Sequence, residues 1–140
     1  MPMIDVTARA GTFADKPALV RALTAAMMKW EQVPDLAMFR DNTAAFIHEL
    51  PADAFGDANA DSRHIRIDVL TPAGILDRGK KLGVTAELTD VVVAASGDPS
   101  LKPRTWVLIA ETPDGGWGLD GHANTNAEIA AEARRQLGLA

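Results

Sequence analysis

An internal repeat dominates the sequence. Residues 4–6 and 67–69 both read Ile-Asp-Val, at an offset of 63 positions. Farther along, Ile-His-Glu-Leu-Pro at 47–51 is matched by Ile-Ala-Glu-Thr-Pro at 109–113, at an offset of 62. Matching blocks in the same order at nearly constant spacing indicate two copies of one supersecondary unit. A chain of 140 residues can hold one domain of this kind and is too short for two ordinary domains.

Each copy predicts a strand, a helix and a second strand. Alternating apolar and polar residues predict first strands at 3–7 and 65–70, and second strands at 44–50 and 105–112. Within a β-α-β unit the crossover is right-handed and the two strands are parallel. Two such units predict an α+β fold of two layers, a four-stranded mixed sheet with both helices on one face. The other face would stay uncovered, so we expect the chain to form oligomers.

Two amphipathic helices are expected between the strands. The first is predicted to start at Asp15, a good N-cap, and to end before Pro34. The second is predicted to run from Asp77 to about Ser96, with Gly97 as its cap. The apolar stripe of the first helix consists of Leu19, Val20, Leu23, Met27 and Trp30.

The chain is predicted to be a single domain with a short appended helix. A capping-box sequence opens that last helix. A segment rich in Asp, Ala and Asn separates the two repeats. The predicted divisions of the domain 1–140 are a first repeat at 1–56, a linker at 57–63, a second repeat at 64–123 and a C-terminal helix at 124–140.

Composition excludes several classes of function. The formal net charge of −5 argues against a protein that binds nucleic acid, which needs a basic surface. No apolar run approaches the roughly 18 residues that span a bilayer, so no membrane partner is expected. The chain has no cysteine, hence no disulfide framework or thiol nucleophile, and this fits a cytoplasmic protein. Its three histidines lack metal-ligand spacing, so we expect no metal and no cofactor.

Three features of the repeat point to a known family. Proline at position 2 opens the first strand, and Gly11 lies in the loop after it. The strand-end block occurs twice, as Glu49-Leu50-Pro51 with Phe55-Gly56 and as Glu111-Thr112-Pro113 with Trp117-Gly118. In this combination the chain resembles the 4-oxalocrotonate tautomerase group of the tautomerase superfamily, in the fused form that joins two β-α-β units. The resemblance covers nearly the whole chain except the C-terminal helix.

The resemblance implies an enzyme with a proline at its N-terminus. In that family the proline, exposed when methionine is removed, is a general base or acid that moves a proton between carbon and oxygen. Arginines hold the substrate carboxylate, and an aromatic residue makes the site apolar. It therefore implies a keto–enol tautomerase or isomerase acting on a small unsaturated or 2-oxo carboxylate, with one site per chain in a homotrimer. The implied residues are Pro2, Arg9 and Arg104 as catalytic groups and Trp106, Trp117 and Phe55 as substrate contacts.

This chemistry suits a buried N-terminal proline. An ordinary α-amino group titrates at about 7.7–8.0, and both burial and neighbouring cations favour its neutral form. A proton carrier is most useful with a pKa near the working pH. The enolate is anionic, so donors aimed at its oxygen stabilise the transition state most in a dry site. Arginine also grips a carboxylate with two parallel hydrogen bonds.

The chain departs from the family at its arginines. The arginine after the loop glycine falls on Thr12, and the second-strand arginine falls on Ala44 and on Trp106. The paired arginines of the dehalogenase relatives are absent at 70–74. Three alternatives to a tautomerase therefore stay open: a hydratase-like lyase on the same scaffold, a non-catalytic trimer that binds a ligand or a protein, and an unrelated ferredoxin-like domain with antiparallel pairing inside each unit.

Overall fold

The computed structural model describes residues 1–139 and contains a four-stranded and a two-stranded sheet. A short 3-10 helix, Pro99–Arg104, precedes the fourth strand. The strands are β1 (Met3–Arg9), β2 (Ala44–Leu50), β3 (Ile65–Pro72), β4 (Thr105–Thr112), β5 (Trp117–Leu119) and β6 (His122–Asn124). The helices are α1 (Lys16–Glu31), α2 (Ala37–Arg40), α3 (Arg78–Ser96) and α4 (Asn126–Gln136).

The large sheet has the strand order β2-β1-β3-β4. Strands β1 and β2 are parallel, and so are β3 and β4, whereas β1 and β3 pair antiparallel at the centre. This confirms the predicted mixed sheet. Parallel pairing inside each repeat excludes the ferredoxin-like alternative.

The core lies on one face of this sheet, beneath α1 and α3. Every second residue of the two central strands is buried there, including Ile4 and Val6 of β1 and Ile67 and Val69 of β3. The helices contribute their apolar stripes, in which the fully buried side chains are Leu19, Leu23, Met27, Val84, Leu88 and Val92. Both helices therefore cover the same face, as predicted.

The opposite side of the sheet, which we call the outer face, is left partly open by residues 1–139. Its large apolar side chains Phe46, Leu70, Trp106 and Leu108 are between 38% and 49% exposed. At its centre two carboxylates face each other across the β1–β3 pair, because Asp5 is the register partner of Asp68.

Each of these two carboxylates has its own partner. Nε2 of His48, on β2, lies 2.7 Å from Oδ1 of Asp5. Asp68 instead accepts a 2.9 Å hydrogen bond from Nε of Arg66, which lies on the same strand. The two halves of the outer face are therefore alike in backbone and different in side chains.

The helix starts agree with the caps read from the sequence. Oδ1 of Asp15 accepts a 3.0 Å hydrogen bond from Ala18 N, and Oδ1 of Asp77 accepts one of 2.8 Å from Lys80 N. Gly97 ends α3 with a φ of 68°, in the left-handed region that glycine adopts without strain. Strands β1 and β3 are two residues longer than predicted, because their ladders with β2 and β4 continue to the last residues of each strand.

Three elements were not predicted: α2, the 3-10 helix and the β5–β6 hairpin. The hairpin turn had a readable signal, since Asp120 and Gly121 both have positive φ, as an Asp-Gly two-residue turn requires. The segment 124–140, predicted as a C-terminal helix, begins with the last residue of β6 and contains α4. Thr125 and Glu128 form the expected capping box at the start of α4. Residue 140 lies outside the described residues. No helix in residues 1–139 is both long and apolar enough to span a bilayer.

Candidate functional site

Pro2 is buried at one corner of the sheet, immediately before β1. Its carbonyl oxygen accepts a 3.2 Å hydrogen bond from Ala44 N, which extends the β1–β2 ladder by one step. The antiparallel register pairs Met3 with Leu70, so Pro2 lies beside the end of β3. We call this region, made of Met1, Pro2, Glu31 and Thr71, the Pro2 corner.

A buried carboxylate holds the start of the chain at this corner. The terminal amine of Met1 donates a 2.9 Å hydrogen bond to Oε2 of Glu31, whose side chain is 1% exposed. Oγ1 of Thr71 donates to the other carboxylate oxygen at 2.9 Å. Removing one partner of a buried ion pair leaves an uncompensated charge, at a cost of about 3–5 kcal/mol. The fold therefore favours a cation at this position.

The remaining surroundings of the Pro2 corner are almost entirely apolar. A cavity of about 160 Å³ adjoins Met1 and Glu31 and extends under α4. Among its lining residues, all within 1–139, Glu31 is the one titratable side chain. Trp117 is 6% exposed and belongs to the same hydrophobic cluster as Met1. The other lining residues are Val33, Phe39, Pro72, Ile75, Asn126, Ile129 and Ala130.

The two predicted catalytic arginines lie at the opposite end of the central strands. Arg9 and Arg104 line a cavity of about 440 Å³, together with Arg63 and His64. We call this region the arginine corner. Arg9 follows Pro2 by seven residues of extended strand, which at about 3.3 Å per residue puts them about 23 Å apart. Within one chain, therefore, the structure does not bring either arginine to Pro2.

The charges of the arginine corner are mostly paired. Arg104 Nη2 lies 2.7 Å from Oδ2 of Asp61, and Arg63 Nη2 lies 3.0 Å from the same oxygen. Hydrogen bonds from Arg63, with added attraction from Arg104, hold the pKa of Asp61 well below its ordinary value. The same carboxylate raises the pKa of Arg63. Arg9 makes no ion pair with any residue in 1–139.

The predicted aromatic contacts divide between the two ends. Trp117 packs at the Pro2 corner. Trp106 and Phe55 instead line a cavity of about 290 Å³ on the outer face, beside the arginine corner. The Trp106 ring stacks on His64, with ring centroids 4.3 Å apart. Nε2 of His64 lies 2.8 Å from Oδ2 of Asp57, whose pKa this contact lowers.

Sequence reasoning missed Glu31 and Thr71, although both follow the patterns used for the core. Glu31 lies four residues after Met27, so it continues the buried stripe of α1. Thr71 follows Val69 in the alternation that directs every second residue of β3 inward. A charged or polar residue at a position that the period assigns to the core is the signal that would have identified each of them.

The fold is similar to several solved structures. A fused 4-OT named F6, solved as a wild-type asymmetric trimer, is 22% identical, with a TM-score of 0.74 over 91% of this chain and 98% of that one. Pt0534, inactivated by 2-oxo-3-pentynoate, is 18% identical, with a TM-score of 0.74 over 89% of this chain and 98% of that one.

N1, a member of the cis-3-chloroacrylic acid dehalogenase family, is 19% identical, with a TM-score of 0.74 over 96% of this chain and 94% of that one. No protein-family model and no curated protein matches the sequence. The predicted fold is confirmed: the chain has the tautomerase-superfamily fold, in the fused two-repeat form of the 4-oxalocrotonate tautomerase-like proteins.

Proposed function

We propose that the chain is a tautomerase-superfamily enzyme that interconverts the keto and enol forms of a small unsaturated or 2-oxo carboxylate, with Pro2 as the proton carrier. One observation carries the proposal. Pro2 opens the first strand inside an apolar corner that contains a single buried carboxylate, Glu31. The similarity in fold to F6 and N1 supports the same class of protein.

Removal of Met1 is part of the proposal. While Met1 is attached, the nitrogen of Pro2 belongs to an amide and cannot carry a proton. Removal converts it into a secondary amine, roughly 3 Å from the position that the Met1 amine occupies. The space of the Met1 side chain then joins the neighbouring cavity, and Glu31 lies within about 6 Å of the new amine, since it is 2.9 Å from the Met1 amine.

Glu31 changes the resting charge that we propose for Pro2. Burial favours a neutral amine, whereas an ionised carboxylate within about 4–6 Å favours a protonated one. We therefore propose that Pro2 starts as the donor. Pro2 delivers its proton to the substrate carbon, Glu31 accepts the enol hydroxyl proton, and the proton then returns from Glu31 to Pro2. No proton is gained or lost in one turnover, and the reverse direction uses Pro2 as the base.

Glu31 also supports a second candidate, a hydratase-like lyase. A carboxylate in a dry pocket can take a proton from water while a protonated amine adds one to the other carbon of a double bond. The two candidates share their residues and differ in product. An unsaturated 2-oxo acid incubated in H₂¹⁸O would gain a labelled hydroxyl group only if its double bond were hydrated. The ketone oxygen exchanges with water in either case, and that label is washed out by returning the product to ordinary water.

We also propose that the chain forms a homotrimer. It is supported by the exposed apolar residues of the outer face and by the trimer in which the fused 4-OT named F6 was solved. The proposed proton transfer does not use Arg9 and Arg104 of the same chain, which lie at the other corner.

The direct test is the ketonisation of an aryl enolpyruvate. We expect protein without Met1, verified by intact mass, to ketonise it much faster than Pro2→Ala. Pro51→Ala, which changes an exposed proline at the end of β2, is the matched control and should retain full activity. Equal rates for native protein and Pro2→Ala would refute the mechanism.

A covalent probe gives an independent readout of the amine. Pt0534 was crystallised after inactivation by 2-oxo-3-pentynoate. We expect the same compound to label this chain once, at Pro2, and to leave Pro2→Ala and protein that retains Met1 unlabelled. Labelling that persists in Pro2→Ala would place the reactive group elsewhere.

A further inference from the structure

We infer that the arginine corner is a second ligand site, which binds a small oxyanion such as a carboxylate or a phosphate. It lies at the place in the second repeat that the Pro2 corner occupies in the first. The inference does not depend on the proposed reaction, because it uses a different set of residues.

The two cavities are equivalent by position. Five positions that line the cavity at the Pro2 corner have counterparts, 62 or 63 positions away in the sequence, that line the cavity at the arginine corner. A cavity is therefore a property of the repeated unit, formed where one strand starts beside the loop that follows the other. The equivalent pairs are Met1 and His64, Val33 and Ser96, Phe39 and Leu101, Pro72 and Arg9, and Ile75 and Thr12.

The second cavity has polar lining residues at positions where the first has apolar ones. Apolar Pro72 and Ile75 at the first corner correspond to Arg9 and Thr12 at the second, and Val33 corresponds to Ser96. The residue 63 positions after Pro2 is Ile65, whose nitrogen is an internal amide. The second corner therefore has no amine of the Pro2 kind, and it has cations and hydroxyl groups where the first has hydrocarbon.

One cation of the arginine corner is free to bind an anion. Arg63 and Arg104 share the carboxylate of Asp61, and Asp98, in the cavity lining, also interacts favourably with Arg63. Arg9 adds a guanidinium with no ion pair in residues 1–139.

Two observations indicate that the site is organised in advance. The Nε of Arg104 donates a 2.5 Å hydrogen bond to the carbonyl oxygen of Arg63, which fixes the direction of its guanidinium. Asp98 also lines the cavity, but its Oδ1 accepts hydrogen bonds from Ser100 N at 3.0 Å and Ser100 Oγ at 2.6 Å. The one carboxylate in the lining is therefore engaged by its own turn.

The volume of about 440 Å³ suits a small molecule. Guanidinium groups bind both planar carboxylates and tetrahedral phosphates through paired hydrogen bonds, so the arginines of this cavity suit either anion. Inorganic phosphate and malonate are therefore the two probes, titrated separately at constant ionic strength.

The test measures binding by calorimetry and by shifts of assigned backbone amides. We expect saturable binding of at least one probe, with the largest shifts at Gly11, Ser62 and Ser100. Arg9→Gln should weaken binding about tenfold or more. Arg21→Gln, which removes an exposed arginine of α1 with no ion pair in residues 1–139, should leave it unchanged.

Pro2→Ala separates this site from the proposed reaction. We expect it to abolish catalysis and to leave anion binding as in native protein. The inference would be overturned by equal affinity in Arg9→Gln and Arg21→Gln, by the absence of saturable binding of both probes, or by loss of binding in Pro2→Ala. The last result would mean that the anion sits at Pro2.

Discussion

The indole ring of Trp30 on α1 occupies the space next to Gly83 on α3, so a methyl group at position 83 would lie 2.2 Å from the ring carbon Cη2. The Nε1 of the same indole donates a 2.9 Å hydrogen bond to Oε2 of Glu87, one turn farther along α3. A glycine in mid-helix ordinarily weakens the helix, and here it permits the two long helices to approach closely.

Gly83→Ala should therefore lower stability even though alanine is the better helix former. The gain in helix propensity is about 1 kcal/mol, and overpacking a tight contact costs about 1–3 kcal/mol. We expect a net loss of up to about 2 kcal/mol in the free energy of unfolding, measured by urea denaturation. Gly79→Ala is the control, because a methyl group there has only the Asp77 carboxylate nearby, at 3.4 Å. It should leave stability unchanged or raise it.

Glu31→Gln tests the buried ion pair in protein that retains Met1. The variant leaves the buried terminal amine of Met1 without its anion, so we expect a loss of about 3 kcal/mol in the free energy of unfolding. Glu132→Gln removes a comparable carboxylate from an exposed pair with Arg135 and should change stability little. Equal effects of the two substitutions would mean that the buried Glu31 pair contributes no more to the free energy of unfolding than the exposed Glu132 pair.

Asp61→Asn tests the electrostatics of the arginine corner as a function of pH. The folded-state pKa of Asp61 is depressed by Arg63 and Arg104, so its contribution to stability is fully present above its ordinary pKa of 3.8. As the pH falls below this value, the unfolded state takes up a proton that folded Asp61 still excludes, so the contribution shrinks until the folded state is protonated as well. We expect the urea midpoint of the variant to lie below that of native protein at pH 7 and the difference to shrink toward pH 3. A constant difference over this range would contradict the assignment.

Leu108→Glu tests whether the outer face forms the interface of the proposed trimer. A carboxylate at the centre of an apolar interface costs far more than one on a free surface, so we expect a monomer by sedimentation equilibrium. Leu82→Glu alters an even more exposed leucine on α3, on the helix side of the molecule, and should leave the assembly intact. A variant Leu108→Glu that stays fully assembled would place the interface elsewhere.

Local patterns in the sequence were sufficient to predict most of the fold. The caps at Asp15 and Asp77 and the alternation in the four long strands are short-range signals, and the repeat carried the topology. The short α2 was missed because four residues carry no period, and the Asp-Gly turn of the hairpin was overlooked.

The site was harder to predict because its members meet through the tertiary fold. Glu31 meets Met1 across 30 positions, and no local pattern reports that contact. The separation of Pro2 from Arg9 was available from the sequence, since the two residues flank one extended strand. Their grouping came from the family resemblance, which assigns residues by type and order and carries no distance within a single chain.

The facing carboxylates Asp5 and Asp68 show what duplication does to a sheet. Asp5 of the first repeat meets its counterpart in the second repeat across the β1–β3 pair, and two like charges in register repel each other. The two carboxylates have different partners: the imidazole of His48, on the adjacent strand, contacts Asp5, and the guanidinium of Arg66, on the same strand, contacts Asp68. The pseudo-symmetry of the backbone is thereby broken in its side chains, so a neighbouring subunit of the proposed trimer would meet different groups on the two halves of the chain.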